Sequence, residues 1–333
     1  TGALLFGLSI AVGLTPEIID VEVDLSRGIP SFSIVGLPDK ATAEAKDRIG
    51  AAIKNSGFEL TTKSGHIVVS LAPADRKKEG TAFDLAIALA YLLASEEVSF
   101  DPSRRLFLGE LGLGGDVRSV RGTLPIARAA AKLGYKELYV PAPNAREAAL
   151  IKGISVFGVM NLRQLTNHLE ENASRRALAE KGKSHKNHES IRMEPLPQTP
   201  FVHTPSEREH TDWSDVRGQE SAKRGLMIAA AGRHNIAMSG PPGTGKTMLA
   251  RAFLSILPPL SLEEALEATG IHSVAGTLED TILTEPPFRS PHHTASHIAL
   301  VGGGTFPRPG EITLAHNGVL FLKEGSQRVV SSL

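Results

Sequence analysis

Apolar positions in the first 170 residues switch between two spacings, and the switching organises the chain. Short apolar-rich runs at residues 18–23, 32–36, 66–71 and 138–140 predict strands. Between them, residues 41–55 carry apolar side chains at helical spacing and stop before Gly57, residues 82–94 are almost wholly apolar, and residues 124–133 end at Gly134. Three helices are therefore predicted, two of them closed by glycine. Mixed in this order, the signals predict a compact α+β domain over residues 1–170. The pattern then fails. From residue 174 the chain collects Lys181, Lys183, His185, Lys186, His188, Pro195, Pro197, Pro200 and Pro205 without periodicity, which predicts a flexible linker over residues 171–210. A solvated tether accounts for its basic residues more simply than a nucleic-acid contact does.

Order resumes at Trp213. Residues 220–231 predict a helix, Ile236, Ala237 and Met238 a short buried strand, residues 248–257 a second helix, and residues 318–322 a second buried strand with Glu324 just beyond it. Between the first strand and its helix runs Gly240-Pro241-Pro242-Gly243-Thr244-Gly245-Lys246-Thr247. A glycine-rich turn that opens a helix presents consecutive backbone N–H groups to a polyphosphate; the lysine neutralises its charge and the threonine hydroxyl completes a Mg²⁺ shell. Strand, loop and helix in that order are what the mechanism requires. ATP with Mg²⁺ is the expected ligand, held by these eight residues, with Thr247 on the metal.

Composition narrows the rest. The chain has 333 residues with 36 basic and 36 acidic side chains, so there is no bulk electrostatic pull toward nucleic acid or membrane. Two domains of ordinary size, 1–170 and 211–333, fit the length. No cysteine is present, which excludes disulfides, thiolate metal sites and cysteine nucleophiles. The apolar stretch 4–14 lacks a basic flank and a cleavage pattern, and the stretch 85–94 is too short to cross a bilayer, so a cytoplasmic chain with no membrane contact is expected.

Several longer strings resemble the YifB/ComM group of magnesium-chelatase-like AAA+ ATPases: Val21-Glu22-Val23-Asp24-Leu25-Ser26-Arg27-Gly28, Ser31 to Asp39, Leu71 to Gly80, Phe288-Arg289-Ser290-Pro291-His292-His293-Thr294-Ala295-Ser296, and Pro309-Gly310-Glu311-Ile312-Thr313-Leu314-Ala315-His316-Asn317-Gly318. The resemblance runs from about residue 5 to 322. It implies an α+β Lon protease-like (ribosomal-protein-like) N-terminal domain, followed by an α/β P-loop NTPase (AAA+) domain that is incomplete at its C-terminus. On the Lon pattern Ala82 falls at the nucleophile position and Leu124 at the general-base position. A methyl group and an isobutyl group cannot run Ser-Lys chemistry, so a scaffold without peptidase activity is expected, with nearby Thr81 the residue at which residual chemistry would sit, though nothing basic is evident beside it in sequence.

For the second domain the resemblance implies that Lys246 contacts the β/γ-phosphates, that Asp215 to Gln219 border the adenine, and that Arg289, His292 and His293 belong to a pore-facing insertion suited to DNA. A metal site at His292, His293 and His297 is the rival reading, and Gly302-Gly303-Gly304 fits a turn. Full-length relatives form homo-oligomeric rings, of six subunits by this resemblance. The ComM branch drives DNA branch migration during natural transformation; a chelatase-type ATPase subunit acting on a protein partner, and a nucleotide-binding module without hydrolysis, are the alternatives. At the end of the second strand, Lys323 stands where the family has a Mg²⁺-holding aspartate, and Glu324 stands at the catalytic, water-polarising glutamate. The sequence after Leu322 then leaves the family pattern, and the strands that flank the phosphate-loop strand in the family are expected to be missing, leaving its hydrogen-bonding groups unpaired.

Overall fold

The computed structural model describes residues 3–10, 16–26, 28–29, 31–36, 40–58, 66–74, 80–170, 193–202, 211–278, 281–303, 308–324 and 327–332. They fall into two compact units, residues 1–200 and 201–333.

The first unit is built on β1 (Ala3–Ile10), β2 (Pro16–Ser26), β3 (Ser31–Val35), α1 (Lys40–Asn55), β4 (His66–Ala72), α2 (Asp84–Ala94), β5 (Arg105–Phe107), the two-residue strands β6 (Glu110–Leu111) and β7 (Val117–Arg118), α3 (Thr123–Lys132), β8 (Glu137–Pro141), α4 (Ala145–Ala148), β9 (Ser155–Val159) and α5 (162–170). Seven strands form one sheet in the order β3-β4-β2-β1-β5-β8-β9. The β1–β2 and β2–β4 pairs are antiparallel, whereas β3–β4, β1–β5, β5–β8 and β8–β9 are parallel. Period-two alternation explains why the strand predictions succeed: Ile19, Val21 and Val23 of β2 are buried while Glu22 and Asp24 are exposed, and Ile67, Val69 and Leu71 of β4 face the same core.

Neighbouring residues of β5, β8 and β9 enter different cores. Phe107, Tyr139 and Phe157 join a cluster with α1, α2 and α5, whereas Leu106, Leu138, Val140 and Val156 join a second cluster with α3 and α4. This parallel half of the sheet is therefore covered on both faces, as parallel sheets are. Helix α2 is buried from Asp84 to Leu92, which is why it reads as apolar all round. The rings of Phe107, Tyr139 and Phe157 stack across adjacent strands at centroid distances of 5.0 and 4.8 Å.

Part of the predicted linker is structured. Residues 193–200 lie along the first unit: the Leu196 N–H donates to the Val156 carbonyl at 2.8 Å, the Thr199 N–H to the Ala149 carbonyl at 3.0 Å, and the Met193 N–H to His168 Nδ1 at 3.1 Å. Met193 is in the core. Prolines 195, 197 and 200 are read from sequence as breaking structure, yet here they only keep an extended strip whose free N–H groups find partners. Residues 171–192 and 203–210, the rest of that linker apart from 201–202, lie outside the described residues. With Nδ1 accepting, the His168 proton sits on Nε2, which faces the Tyr139 hydroxyl at 3.4 Å; that hydroxyl donates to Glu137 at 2.9 Å, and Glu137 also receives the Arg105 Nε–H at 2.5 Å. A continuous polar chain thus runs through the core, each buried group satisfied by the next.

The second unit contains a capped 3₁₀ turn (Trp213–Asp215), α6 (Glu220–Gly232), β10 (Ile236–Ser239), α7 (Lys246–Ala252), a 3₁₀ turn (Phe253–Ile256), α8 (Leu262–Ala275), β11 (Phe288–Arg289), α9 (His297–Val301), β12 (Gly302–Gly303), β13 (Arg308–Pro309), α10 (Glu311–Leu314), β14 (Val319–Glu324) and β15 (Gln327–Ser332). The helix predicted over 248–257 is two pieces, α7 and the 3₁₀ turn. No apolar spacing marks α8, because its buried side includes Thr269, His272 and Ser273; its signal is the capping box, in which Ser261 and Glu264 exchange hydrogen bonds with each other's backbone N–H.

Four strands pair in the order β10-β15-β14-β11. Both β10 and β14 are antiparallel to β15 and therefore parallel to each other, and β11 is parallel to β14. This corrects the expectation of an unpaired phosphate-loop strand: residues 327–332 supply a partner, running opposite to its neighbours, along one edge of β10. A run centred on two β-branched valines has the strand propensity for that slot. The core of the unit packs Leu226, Ala229 and Ala230 of α6 and Leu249, Ala250, Ala252 and Phe253 around Met238, Val319 and Phe321.

Candidate nucleotide-binding site

The loop Gly240 to Gly245 leaves the end of β10 and enters α7 directly. Gly243 and Gly245 adopt φ of +82° and +80°, the left-handed region that residues with a Cβ avoid, and Gly245 is the residue that caps α7. An added Cβ at either would meet no atom within 4 Å, so these glycines answer to backbone conformation and not to crowding. Gly240 is different: its Cβ would approach Thr244 Oγ1 to 3.5 Å and Lys246 Nζ to 3.9 Å, inside the concavity of the loop. Pro241, Pro242, Gly243, Thr244 and Gly245 are all exposed, and Thr247 is partly exposed in the first turn of α7.

Lys246 is the one buried charge of the loop, 8% exposed. Its ammonium donates to the Gly240 carbonyl at 2.7 Å, the Pro241 carbonyl at 2.6 Å and Thr244 Oγ1 at 3.1 Å, so all three protons are used. The charge is satisfied by neutral carbonyls, which are weaker partners for an ammonium than anionic oxygens are. A phosphate oxygen entering the concavity meets that ammonium already in place. Glycines in the required conformation, a buried lysine and a hydroxyl at the helix start suit a Mg²⁺–polyphosphate.

Strand register places the other sequence-predicted site residue. Ser239 is opposite Gln327, which is opposite Glu324; Met238, Arg328 and Lys323 form the next row. Glu324 thus stands level with the residue before Gly240, two strand spacings away, about 9–10 Å along the sheet.

The segment from Asp215 to Gln219 is committed to turn geometry. The Asp215 carboxylate accepts from the Asp212 N–H at 2.9 Å, while the Asp212 carboxylate accepts from Ser214, and the hydrogen bonds from Ser214 hold the Asp212 carboxyl below its ordinary pKa. The Trp213 N–H donates to Ser255 Oγ at 3.0 Å, tying this turn to the end of the helix that follows the phosphate loop. Val216 is buried, and Gly218 and Gln219 take positive φ to start α6.

Of the insertion residues, Arg289 meets a partner that sequence reasoning left unpaired. Its Nε and Nη2 donate to the two oxygens of Glu311 at 2.6 and 2.7 Å, joining two of the strings that carry the family resemblance and raising the pKa of the guanidinium. His292 and His293 are exposed with ring centroids 4.1 Å apart, and His292 Nδ1 shares a hydrogen bond of 2.7 Å with Thr294 Oγ1. His297 begins α9. Among the described residues no group of three or more His, Asp or Glu is placed to hold a metal ion, so the rival metal reading finds no support. Gly302 and Gly303 form β12, paired with β13 in a small antiparallel ribbon; Gly304 lies outside the described residues. Among the described residues no helix is long and apolar enough to cross a membrane.

In the first unit, Ala82 packs against the apolar cluster that includes Ile126 and Ala127 of α3, and Leu124 is buried with its N–H on the Glu147 carboxylate at 3.0 Å. The Thr81 hydroxyl donates to the Glu110 carboxylate. Nearby, the Asp84 carboxylate is buried beneath Arg48, with Nε–Oδ2 at 2.9 Å and Nη2–Oδ1 at 3.2 Å; burial raises its pKa to about 6 against the opposing pull of Arg48.

Comparison with known proteins completes the site. Residues 212–331 match the family of magnesium chelatase, subunit ChlI, and residues 21–144 match a second family described as subunit ChlI of Mg-chelatase. An uncharacterized protein of Mycobacterium tuberculosis is 41% identical over 330 residues, 98% of this chain and 61% of that protein. The uncharacterized protein YifB of Escherichia coli is 44% identical over 316 residues, and the competence protein ComM of Haemophilus influenzae 40% over 321, each covering 94% of this chain and 58% of the relative. The chain therefore spans about three-fifths of the length of these relatives. With both units matched by magnesium-chelatase descriptions and nearly every residue aligned to YifB and ComM, the chain belongs to the YifB/ComM family of magnesium-chelatase-like AAA+ proteins.

Proposed function

We propose that this chain binds ATP with Mg²⁺ at Gly240 to Thr247 and is the nucleotide-binding part of a ComM-type motor. In full-length form that motor assembles as a homo-oligomeric ring, a hexamer, and uses ATP to drive DNA branch migration in recombination and natural transformation. The observation that carries the reading is the buried Lys246 ammonium, held on carbonyls inside a loop whose glycines already have the conformation a phosphate cradle needs. The loop amides and Lys246 hold the phosphates, Thr247 contacts the Mg²⁺, and Glu324 at the end of β14 polarises water. Bound Mg²⁺ supplies charge neutralisation of the phosphates. With Lys323 beside Glu324 in place of an acidic metal ligand, binding without rapid turnover is the expectation for this chain.

Calorimetry of the chain with ATP and Mg²⁺ tests the reading. Saturable heat that Lys246→Ala reduces at least tenfold in affinity supports it, and no heat from folded protein removes it. The exposed loop bearing His292 and His293 is the proposed DNA contact. Fluorescence anisotropy with a labelled single strand, measured for the wild type and a His292→Ala/His293→Ala variant, checks that assignment. The chelatase alternative is weaker, because YifB and ComM align with nearly the whole chain.

For the first unit we propose a Lon-like scaffold without peptidase activity. It is supported by an apolar cluster around Ala82 and by the hydroxyl of Thr81, which donates to the Glu110 carboxylate. Release of peptide from a fluorogenic casein by purified chain, lost in Thr81→Val, would overturn this part.

A further inference from the structure

The seven-stranded sheet of the first unit finishes its two edges differently. Beyond β9 the chain lays down residues 193–200: the Leu196 N–H donates to the Val156 carbonyl at 2.8 Å, Met193 enters one core and Leu196 packs against the other. That edge is covered. Strand β3, at the opposite edge, pairs with β4 on one side, and among the described residues no strand pairs with it on the other.

An open edge presents a row of N–H and C=O groups that another strand can take up, and proteins that stay apart guard such edges with lysine, proline or a bulge. Neither lysine nor proline interrupts Ser31-Phe32-Ser33-Ile34-Val35, its register with β4 is unbroken, and no charged residue occurs anywhere from Gly28 to Pro38. Apolar side chains lie exposed near both ends of the strand, Ile29 at 86% and Val35 at 45%. Phe32 and Ile34 pack against the core shared with α1 and α2 yet are only partly buried, so that core is unfinished along this edge. On the other face Ser31 shares a hydrogen bond with His66 of β4, and the Ser33 hydroxyl reaches the Ile67 carbonyl at 3.5 Å.

The run also complements itself. Laid antiparallel on a second copy with Ser33 opposite Ser33, Phe32 falls opposite Ile34 and Ser31 opposite Val35 in both directions. An aromatic side chain beside a β-branched one is a combination that stabilises neighbouring strands, and here each member completes the burial of the other. With no charge on either strand, nothing repels across the two-fold axis, whereas a charged extended peptide would find no counter-charge along this edge.

We propose that β3 is a self-pairing edge: two copies of this chain join antiparallel β3 strands about Ser33, and two seven-stranded sheets become one continuous sheet. Such a contact is isologous and closes on itself, unlike the head-to-tail contacts of a ring, and it stands or falls apart from the nucleotide-binding reading. Five residues a side make a small interface, so the association is weak and shows itself at high protein concentration.

Sedimentation velocity of the full chain without nucleotide, over a range of roughly 5 to 200 µM suited to so small an interface, tests this for the wild type, Ser33→Lys and Ser33→Glu. Position 33 is chosen because it meets itself across the axis. Each variant alone places like charges opposite each other, and an equimolar mixture of the two places opposite charges there. The expected result is a wild-type dimer, association at least about tenfold weaker in either variant alone, and recovery in the mixture to within about threefold of wild type. Hydrogen exchange on the wild type needs no variant and decides the matter if one fails to fold. Amide protons of β3 should slow at least about fivefold from the low to the high concentration, while those of β9, already covered, should not change. A wild type that stays monomeric across the range overturns the proposal, as does an oligomer that both variants leave intact or a mixture that fails to restore association. Exchange in β3 that does not depend on concentration overturns it as well.

Discussion

Arg48→Ala should destabilise the first unit by an amount that depends on pH. Asp84 is 1% exposed at its side chain and Arg48 22%; two bonds of 2.9 and 3.2 Å join them, and the Leu111 N–H reaches the same carboxylate at 3.3 Å. Removing one partner of such a pair costs about 3 kcal/mol, the low end for buried pairs because Arg48 is partly solvated. The sign of the pH effect follows from the carboxyl. Its folded pKa, about 6, lies above the ordinary 3.8, so the ionised form opposes folding above pH 6 and that opposition fades as pH falls toward 4. Without Arg48 the folded pKa rises further. The penalty of the substitution should then be full, about 3 kcal/mol, near pH 8 and shrink to about 1 kcal/mol near pH 5, where Asp84 is protonated in both proteins and only hydrogen bonding of the guanidinium to a neutral carboxyl is lost. Urea unfolding followed by far-ultraviolet circular dichroism at both pH values measures it. Trp213, the single tryptophan, lies in the second unit, so its emission gives an internal control that should not change. A penalty that is equal at pH 5 and pH 8 would refute the argument that the ion pair offsets a buried charge.

Gly318→Ala should cost the second unit about 3 kcal/mol, because the new methyl meets the backbone oxygen of Pro287 and not a flexible side chain; thermal unfolding read by tryptophan emission shows it. His168→Phe should keep the ring contacts of the aromatic core yet strip the acceptor from Met193, so amide exchange at Met193 should accelerate at least tenfold while β8 stays protected. Glu264 is held down to about 2 by Arg233 first and then by Ser261; its support of α8 is present above the ordinary carboxylate pKa and is lost as pH falls through 2. Glu264→Gln should therefore weaken α8 at pH 7 by up to about 1 kcal/mol and be indistinguishable from wild type below pH 2, as judged by helical circular dichroism.

What could be read from the residues divides along physical lines. Elements that bury one face announced themselves: α1, α3, α6, β2 and β4 carry a single spacing with polar residues opposite it, and their predicted limits fall within two or three residues of those observed. Elements that share their burial did not. By itself the run at residues 4–14 reads only as a possible leader or span, yet residues 3–10 form a strand paired to β2 along its whole length, a fact that needs the partner to be visible. Helix α8 buries polar groups, Thr269 through the Leu283 N–H and His272 through the Leu314 carbonyl, so apolar counting misses it while its capping pair does not. The phosphate loop was legible because its chemistry is contiguous in sequence. The Arg289–Glu311 fork was not, because its halves are 22 residues apart and neither is unusual alone. Proline content misled at residues 193–200, where an extended strip is what the edge of β9 accepts.

The order of the smaller sheet has a mechanical consequence. Among the described residues, strand β10, which delivers the chain to the phosphate loop, is joined to the remaining strands solely through β15. Residues 327–332 act as a zip with teeth on both sides: undoing them bares two ladders at once and leaves the loop mounted on a strand anchored by helix packing alone. Six residues near the chain's end therefore govern how firmly residues some ninety positions earlier are moored.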